Sequence, residues 1–382
     1  MKILLGLSGG VDSAIAAYLL KQQGHDVTCA FMRNWDSLAN NDILGNPTID
    51  GEVCSQELDY NDAKLVSDAL GLKLLRIDFI NEYWDHVFQT FLKEYELGRT
   101  PNPDILCNKY IKFDSFIKYG KELGFEYFAT GHYVRVDHTG HTSVLKRALD
   151  DNKDQSYFLC QIPKDSLSGV LFPLGDINKE EVRKIAKELD LIVANKKDST
   201  GICFIGERNF RQFLSNYLPM KPGDIVDVST SKVVGRHKGV LYYTIGQRKG
   251  LDIGGSGGPW FVVSKDVNKN ELYVTSIDNS EWLISDECIV TGVNWLYDFS
   301  ETEIKCTAKF RYRQPDQEIT LIKIDDTTVK CIYNQGIKAI TPGQEAVFYL
   351  DDIVLGGGVI DKVFKDNIDI FELIKDKVNK NK

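Results

Sequence analysis

The chain opens MKILLGLSGGVDSAIAAYLLKQQG, and these first residues constrain the fold more than any other stretch. Ile3–Leu7 is a continuous apolar run, as a fully buried parallel strand would be. From Val11 the apolar positions Val11, Ala14, Ile15, Tyr18 and Leu19 form one helical stripe, which Gly24 ends. A strand that turns into a helix through Ser8-Gly9-Gly10 sets the helix N-terminus at the strand's carboxyl end, where open α/β sheets bind ligands. Gly9 and Gly10 let successive N–H groups line one concave face, and Ser8 and Ser13 add hydroxyls. The helix dipole points its positive end at the same place, so this is an anion site. The loop lacks the lysine of G-x-x-x-x-G-K-[ST], which reaches terminal phosphates. That absence suits chemistry at an α-phosphate, with pyrophosphate leaving. Asp12 could hold a magnesium ion bridging the phosphates.

Further along, strands are expected at 27–32, 73–77 and 127–130 and helices at 59–70, 82–95 and 109–123, the grammar of a doubly wound parallel sheet. A last short helix at 210–217 precedes Pro219 and Pro222. Beyond Gly223 the segments are short, rich in Val, Tyr, Thr and Ile, and broken by Gly, Asn and Asp. The expected fold is therefore an α/β doubly wound parallel sheet followed by a small mainly-β central domain and a C-terminal β-barrel. The expected boundaries are 1–206, 207–279, 280–364 and a charged tail, 365–382, that frays.

The net charge of −9 argues against a nucleic-acid binder as far as bulk charge goes, but phosphate contacts depend on local patches. Basic clusters occur at Arg236–Lys238, at Arg248 and Lys249, and at Arg311 and Arg313 around Tyr312. The apolar start is too short for a signal-peptide core, and no stretch has the length of a membrane span, so a cytoplasmic protein without a membrane partner is expected. The eight cysteines contain no C-x-x-C pair, which disfavours structural zinc. Most are expected to be small buried side chains. Two stand in polar, turn-rich surroundings. Cys107 lies in GRTPNPDILCNKYIKF, where the prolines extend the backbone and a helix is expected from about Asn108, placing Cys107 near its N-terminus. Cys203 lies in KKDSTGICFIGERNF after a Ser-Thr-Gly turn, with Lys196 and Lys197 nearby. With the phosphate loop, these suggest sulfur transfer.

The S-G-G-V-D-S loop resembles that of the PP-loop pyrophosphatases, which adenylate their substrates. The whole set GLSGGVDS, RTPNPDILCNKYIKF, ATGHY, KDQSYFL, DSTGICFIGERNF, YYTIGQRKGL, FRYRQ and GQEAVFY resembles the tRNA-specific 2-thiouridylase family in order from residue 6 to about 349. The resemblance implies an adenine nucleotide alpha-hydrolase-like N-terminal fold. It implies ATP, with Mg2+, bound at Gly6, Leu7, Ser8, Gly9, Gly10, Val11, Asp12 and Ser13, with Met32 beside adenine and Gly131 allowing close approach. It implies adenylation of the C2 oxygen of wobble uridine 34 in tRNAs for Glu, Gln and Lys. A Cys203 persulfide would then supply sulfur, Cys107 would act as second thiol and leave a Cys107–Cys203 disulfide, and Asp104 would be the general acid or base. tRNA contacts are implied at Asn102, Pro103, Asp104, His132, Lys153, Asp154, Gln155, Arg311, Tyr312 and Gln344. The partners implied are tRNA, an upstream persulfide donor (a cysteine desulfurase or sulfur relay protein) and a cellular reductant.

Three other readings compete. Another PP-loop enzyme, an amide-forming ligase or lysidine-type synthetase, would not need the two cysteines. A non-enzymatic RNA-binding module would not need ATP. A cysteine oxidoreductase would ordinarily carry the missing C-x-x-C.

Overall fold

The computed structural model describes residues 1–49, 55–198, 201–202, 205, 208–254 and 258–380. Strands β1 (Lys2–Gly6), β2 (Asp26–Arg33) and β3 (Lys73–Asp78) join β4 (Tyr127–Ala129) in a parallel sheet of order β3-β2-β1-β4, to which a short strand, Val170–Leu171, adds beyond β4. Alternation decides what each strand residue meets. Ile3, Leu5, Val27, Cys29 and Phe31 pack on one face with helix α1 (Val11–Gln22), helix α2 (Ser55–Ala69) and the helix Lys179–Glu188. Leu4, Ala30 and Met32 face the other layer, with the helical runs 80–96 and 103–122. The sheet is thus wound on both sides, as expected. After β1 the chain goes to β2 and β3 on one side and returns to β4 on the other. The order therefore reverses at β1/β4, and a crevice at such a switch point is where this architecture holds ligands.

The central unit is a four-stranded sheet, Trp260–Asp266, Glu271–Ser276, Gly223–Asp227 and Val233–His237 in that spatial order. The C-terminal unit is a closed barrel. The strands Ile284–Trp295, Val329–Lys338, Gln317–Lys323, Glu303–Lys309, Glu345–Leu350 and Ile353–Lys365 run round in order, and the last pairs with the first. A hairpin of the N-terminal unit, Arg135–Asp137 and Val144–Lys146, extends the barrel sheet through Lys146 opposite Ile353.

Two local expectations need correction. The helix after the proline-rich stretch begins at Pro103, not near Asn108. Asn102 is its N-cap, its side-chain oxygen accepting from the Asp104 N–H at 3.1 Å, and Pro103 occupies the first helical position, where its missing N–H costs nothing. Cys107 therefore stands a full turn inside the helix. The end of the chain is not a fraying tail: residues Ile370–Lys380 are helical, with Ile370, Ile374 and Val378 buried in the barrel's apolar cluster. The i, i+4, i+8 spacing makes one stripe between the lysines.

Ile374→Ala should cost about 2–4 kcal/mol of unfolding free energy, because it opens a cavity under that helix. Urea denaturation of the full chain measures this, and an unchanged midpoint would mean the helix is not docked.

Candidate functional site

The loop 7–13 runs out of β1 at the switch point. Gly10 caps α1 in an extended conformation (φ −102°, ψ 163°), and no side chain bonds the first helical N–H groups, which leaves the positive end of the helix open to an anion. Gly9 has φ +76°, and a Cβ there would lie 2.2 Å from the Asp59 carbonyl oxygen, so only glycine lets the loop pass α2. Gly131, just past β4, lies equally tight, since a Cβ would stand 2.8 Å from the Ser13 nitrogen. Met32 covers the end of β1, its Cε 3.0 Å from where a Gly6 Cβ would be. The two serines brace the loop itself. Ser13 Oγ accepts from the Ser8 N–H at 3.1 Å, lies 3.1 Å from Ser8 Oγ, and donates to the Gly10 carbonyl at 3.1 Å.

The lysines missing from the loop arrive from the far end of the domain. Lys179, nearly buried, donates to both Asp12 carboxylate oxygens at 2.7 and 2.8 Å and lies 2.8 Å from Asp198. Lys196 donates to the Gly9 carbonyl at 3.0 Å, to Asp59 at 2.8 Å and to Asp62 at 2.6 Å. The Tyr133 hydroxyl also donates to Asp12, at 2.7 Å, and burial together with that carboxylate keeps the phenol protonated by pushing its pKa up. Asp198 gathers Lys153, Lys179 and Arg183. Burial works against its ionisation, but the hydrogen bonds from Lys153 and Lys179 outweigh it and bring its pKa down to about 2. Lys196 is likewise desolvated, yet Asp59 and Asp62 raise its pKa.

This arrangement bears on how a magnesium ion could be held. The Asp12 carboxylate is committed to Lys179 and Tyr133, and among the described residues no group of three His, Cys, Asp or Glu could hold a metal ion. Any magnesium ion here would therefore take most of its ligands from nucleotide phosphates and water, not from protein side chains.

Cys107 is fully buried among apolar side chains that include Ile105 and Ile111, while Asp104, on the first turn, is half-buried. The helix carrying both touches the loop region indirectly. Lys112 Nζ lies 3.4 Å from His132 Nε2, the Phe113 ring packs on the His132 ring, and His132 adjoins Gly131. Cys203 and Cys54 lie outside the described residues. The described residues on either side of Cys203 are firmly tied. Lys196 and Asp198 join the loop network upstream. Downstream, the Arg208 guanidinium donates to the buried Asp42 at 2.9 and 3.0 Å, and Asn209 donates to the Gly45 carbonyl. Segment 36–49 is thereby fastened to 208–217, with Tyr217 Oη donating to Asn40 O and Asn216 exchanging hydrogen bonds with Leu44. The remaining described cysteines, 29, 160, 288, 306 and 331, are buried, as expected.

Several residues expected to face RNA are engaged within the protein, one of them buried and the rest half-exposed. Asp154 is buried and accepts from Ala148 N–H, Ser156 N–H and Ser156 Oγ, which leaves it a turn-former. Gln155 exchanges two hydrogen bonds with the Tyr133 backbone. Lys153 pairs with Asp198 at 2.8 Å. Arg311 donates to the carbonyls of Ile245 and Ala339 and to Thr341 Oγ1, joining the central sheet to the barrel, and burial lowers its pKa. The Tyr312 ring packs against Phe158 at 4.4 Å between centroids. The Gln344 amide donates to the Thr100 carbonyl at 2.7 Å. His237 is buried against the Asn270 carbonyl, while Arg248, Lys249 and Arg313 are exposed. Lys179, Lys196 and Tyr133 were not anticipated. The N-K-x-x-V start of an amphipathic helix marks Lys179 as a first-turn residue, but nothing local shows that it faces Asp12.

Three family profiles match in tandem: a tRNA methyl transferase HUP domain over residues 1–207, a tRNA methyl transferase PRC-barrel domain over 211–276, and an aminomethyltransferase β-barrel domain over 285–360. The chain is 56% identical over 372 residues to the tRNA-specific 2-thiouridylase MnmA of Mycoplasma capricolum, covering 95% of this chain and 99% of that one. It is 57% identical over 370 residues to that of Mesoplasma florum, with the same coverage. It is 50% identical over 365 residues to that of Bacillus cytotoxicus, covering 95% of each.

His132 supplies a test of the geometry. Burial, then the neighbouring Lys112 charge, hold its pKa well below the ordinary value, so the folded site refuses a proton that the unfolded chain accepts. Its contribution to stability is therefore complete above about pH 6.5 and is lost as pH falls below that value. His132→Gln should flatten this part of the profile in urea midpoints taken from pH 7.5 to 5.5. His237, lowered by burial in the same direction, retains its own share.

Proposed function

The chain belongs to the tRNA-specific 2-thiouridylase family, and on that premise we propose that it is a tRNA sulfurtransferase that uses ATP to convert uridine to 2-thiouridine. The finer reading rests on the chemistry. Uridine O2 attacks the α-phosphorus of ATP held at residues 6–13. The new O–P bond replaces the bridge to the β-phosphate, and pyrophosphate leaves. Gly131 and Met32 flank the adenosine side of this site, and the open N-terminus of α1 stabilises negative charge on the phosphates. Lys179 and Lys196 add positive charge that the loop sequence lacks.

The terminal sulfur of a Cys203 persulfide then attacks C2, and AMP departs with the former O2. The Cys107 thiolate attacks the inner sulfur, the S–S bond breaks towards the thiouridine, and a Cys107–Cys203 disulfide remains for a cellular thiol to reduce. Asp104 moves protons at the uracil, and Asn102 and Pro103 shape the pocket for the extruded base. The substrate uridine is the wobble position of tRNAs for Glu, Gln and Lys, and a reducing cytoplasm suits the turnover of the disulfide.

The observation that carries this reading is the convergence of two motifs at the switch point. Cys107 lies five residues before Lys112 in the same continuous helical run, 103–122. Lys112 and Phe113 meet His132, whose neighbour Gly131 lies against Asp12 and Ser13.

The test combines unmodified tRNA, ATP, Mg2+ and a persulfide donor, with 2-thiouridine read as mercury-retarded tRNA. Cys107→Ser and Cys203→Ser should each lower thiolation on the order of a hundredfold or more while tRNA-dependent pyrophosphate release persists. Variants that thiolate normally would sink the thiol relay, and absence of pyrophosphate release from the unaltered protein would sink the adenylation step.

A further inference from the structure

The segment that leads into the Cys107 helix is held by the C-terminal barrel. Thr100 has both backbone groups engaged there: its N–H donates to the Pro342 carbonyl at 3.0 Å, and its carbonyl accepts from the Gln344 side-chain amide at 2.7 Å. Arg99 reaches the same wall, one guanidinium nitrogen lying 2.9 Å from Asp361 and another donating to the Ile360 carbonyl at 2.9 Å, while its Nε lies 3.0 Å from Glu94. The barrel side of this contact is one unit, since Gly343 N–H donates to Ile360 O and Ile360 N–H donates to Gln344 O.

Beyond Thr100 the chain is stiff. Pro101 has a fixed φ, Asn102 is the N-cap, and Pro103, again with fixed φ, is the first residue of the helix. Between Thr100 and the helix only Pro101 ψ and the Asn102 torsions can turn, and Asn102 is held as the cap by its hydrogen bond to the Asp104 N–H, so a shift at Thr100 passes in large part into the first turn, where Asp104 stands, and then to Cys107. Resting on the function proposed above, we infer that Arg99, Asp361 and Gln344 are positioning residues for sulfur transfer: the barrel sets where Asp104 and Cys107 stand. Gln344 acts through its hydrogen bond to the Thr100 carbonyl.

The experiment uses the full chain, unmodified tRNA, ATP and a persulfide donor, and separates kcat from KM for tRNA in Asp361→Asn, Gln344→Ala, Arg99→Ala and Arg99→Lys. A displacement on the order of 1 Å at a reacting group can cost about a hundredfold. Asp361→Asn and Gln344→Ala should therefore lower kcat for thiolation about tenfold or more, with KM for tRNA within about twofold, and Arg99→Lys should recover most of what Arg99→Ala loses. A raised KM with unchanged kcat would overturn the proposal by making these residues RNA contacts, and so would unchanged values of both. Should Arg99→Ala melt at a much lower temperature, Gln344→Ala decides, since it removes one neutral hydrogen bond. Failure of the unaltered protein to thiolate would count against the function itself, which keeps the two failures apart.

Discussion

A helix N-terminus whose counter-charges are supplied from outside its own loop is the constraint on which the rest of this molecule depends. Lys153, Lys179, Arg183 and Lys196 face Asp12, Asp59, Asp62 and Asp198 around the open end of α1. The pairing holds each ammonium in a fixed direction. An anion entering here meets cations that are already partly desolvated, where charge interactions are stronger than in bulk water. The same network also fixes the architecture. It draws the first turn of the helix Lys179–Glu188 and the segment 196–198 onto the carboxyl edge of the sheet. Asp198, five residues before Cys203 in sequence, is thus held at this edge.

How much of this could be read in advance depends on the range of the interactions. The β1–loop–α1 unit is local: a buried strand, two glycines and a helical stripe lie within one short stretch, and each signal reinforces the next. Sheet winding was legible for the same reason. Lys179 and Lys196 were not, because they are 167 and 187 residues from the groups they bind, and a lysine at a helix start reads as a solvated charge. Cys107 was placed one turn too close to the helix start, although the correct signal was present. Asn102-Pro103 is an N-cap followed by a first-turn proline, and the pull of two prolines towards extended backbone hid it. At the carboxyl end, Ile370, Ile374 and Val378 carry the stripe, but the surrounding lysines dominate composition.

Residue type was a poor guide to which polar side chains face outwards. Arg311, Tyr312 and Gln344 all suggest RNA contacts by chemistry, yet each also joins one part of the protein to another, while Asp154 shapes its own turn. A half-buried arginine bonded to two carbonyls is held in place by them, and freeing it would leave those carbonyls without their donor. Arg248, Lys249 and Arg313 are of a different kind, exposed and outside such joints. In a chain of net charge −9, RNA affinity has to come from local cations of this kind, since the overall field opposes approach.

The inward polar residues also decide how the barrel can contribute. Tyr157 donates to Glu345 O, Gln161 to Gly292 O and Gly357 O, and Asn294 to Cys160 O and Ile162 O, while Arg147 pairs with Asp316. The hairpin strand at Lys146 continues the barrel sheet itself. A module tethered only by a linker could swing without disturbing the α/β unit. One joined by sheet continuity and by several buried side-chain-to-backbone bonds cannot, because any displacement would leave those carbonyls unpaired in the interior. The barrel and the Arg99–Thr100 segment that leads into the helix carrying Asp104 and Cys107 therefore keep one fixed relation to each other.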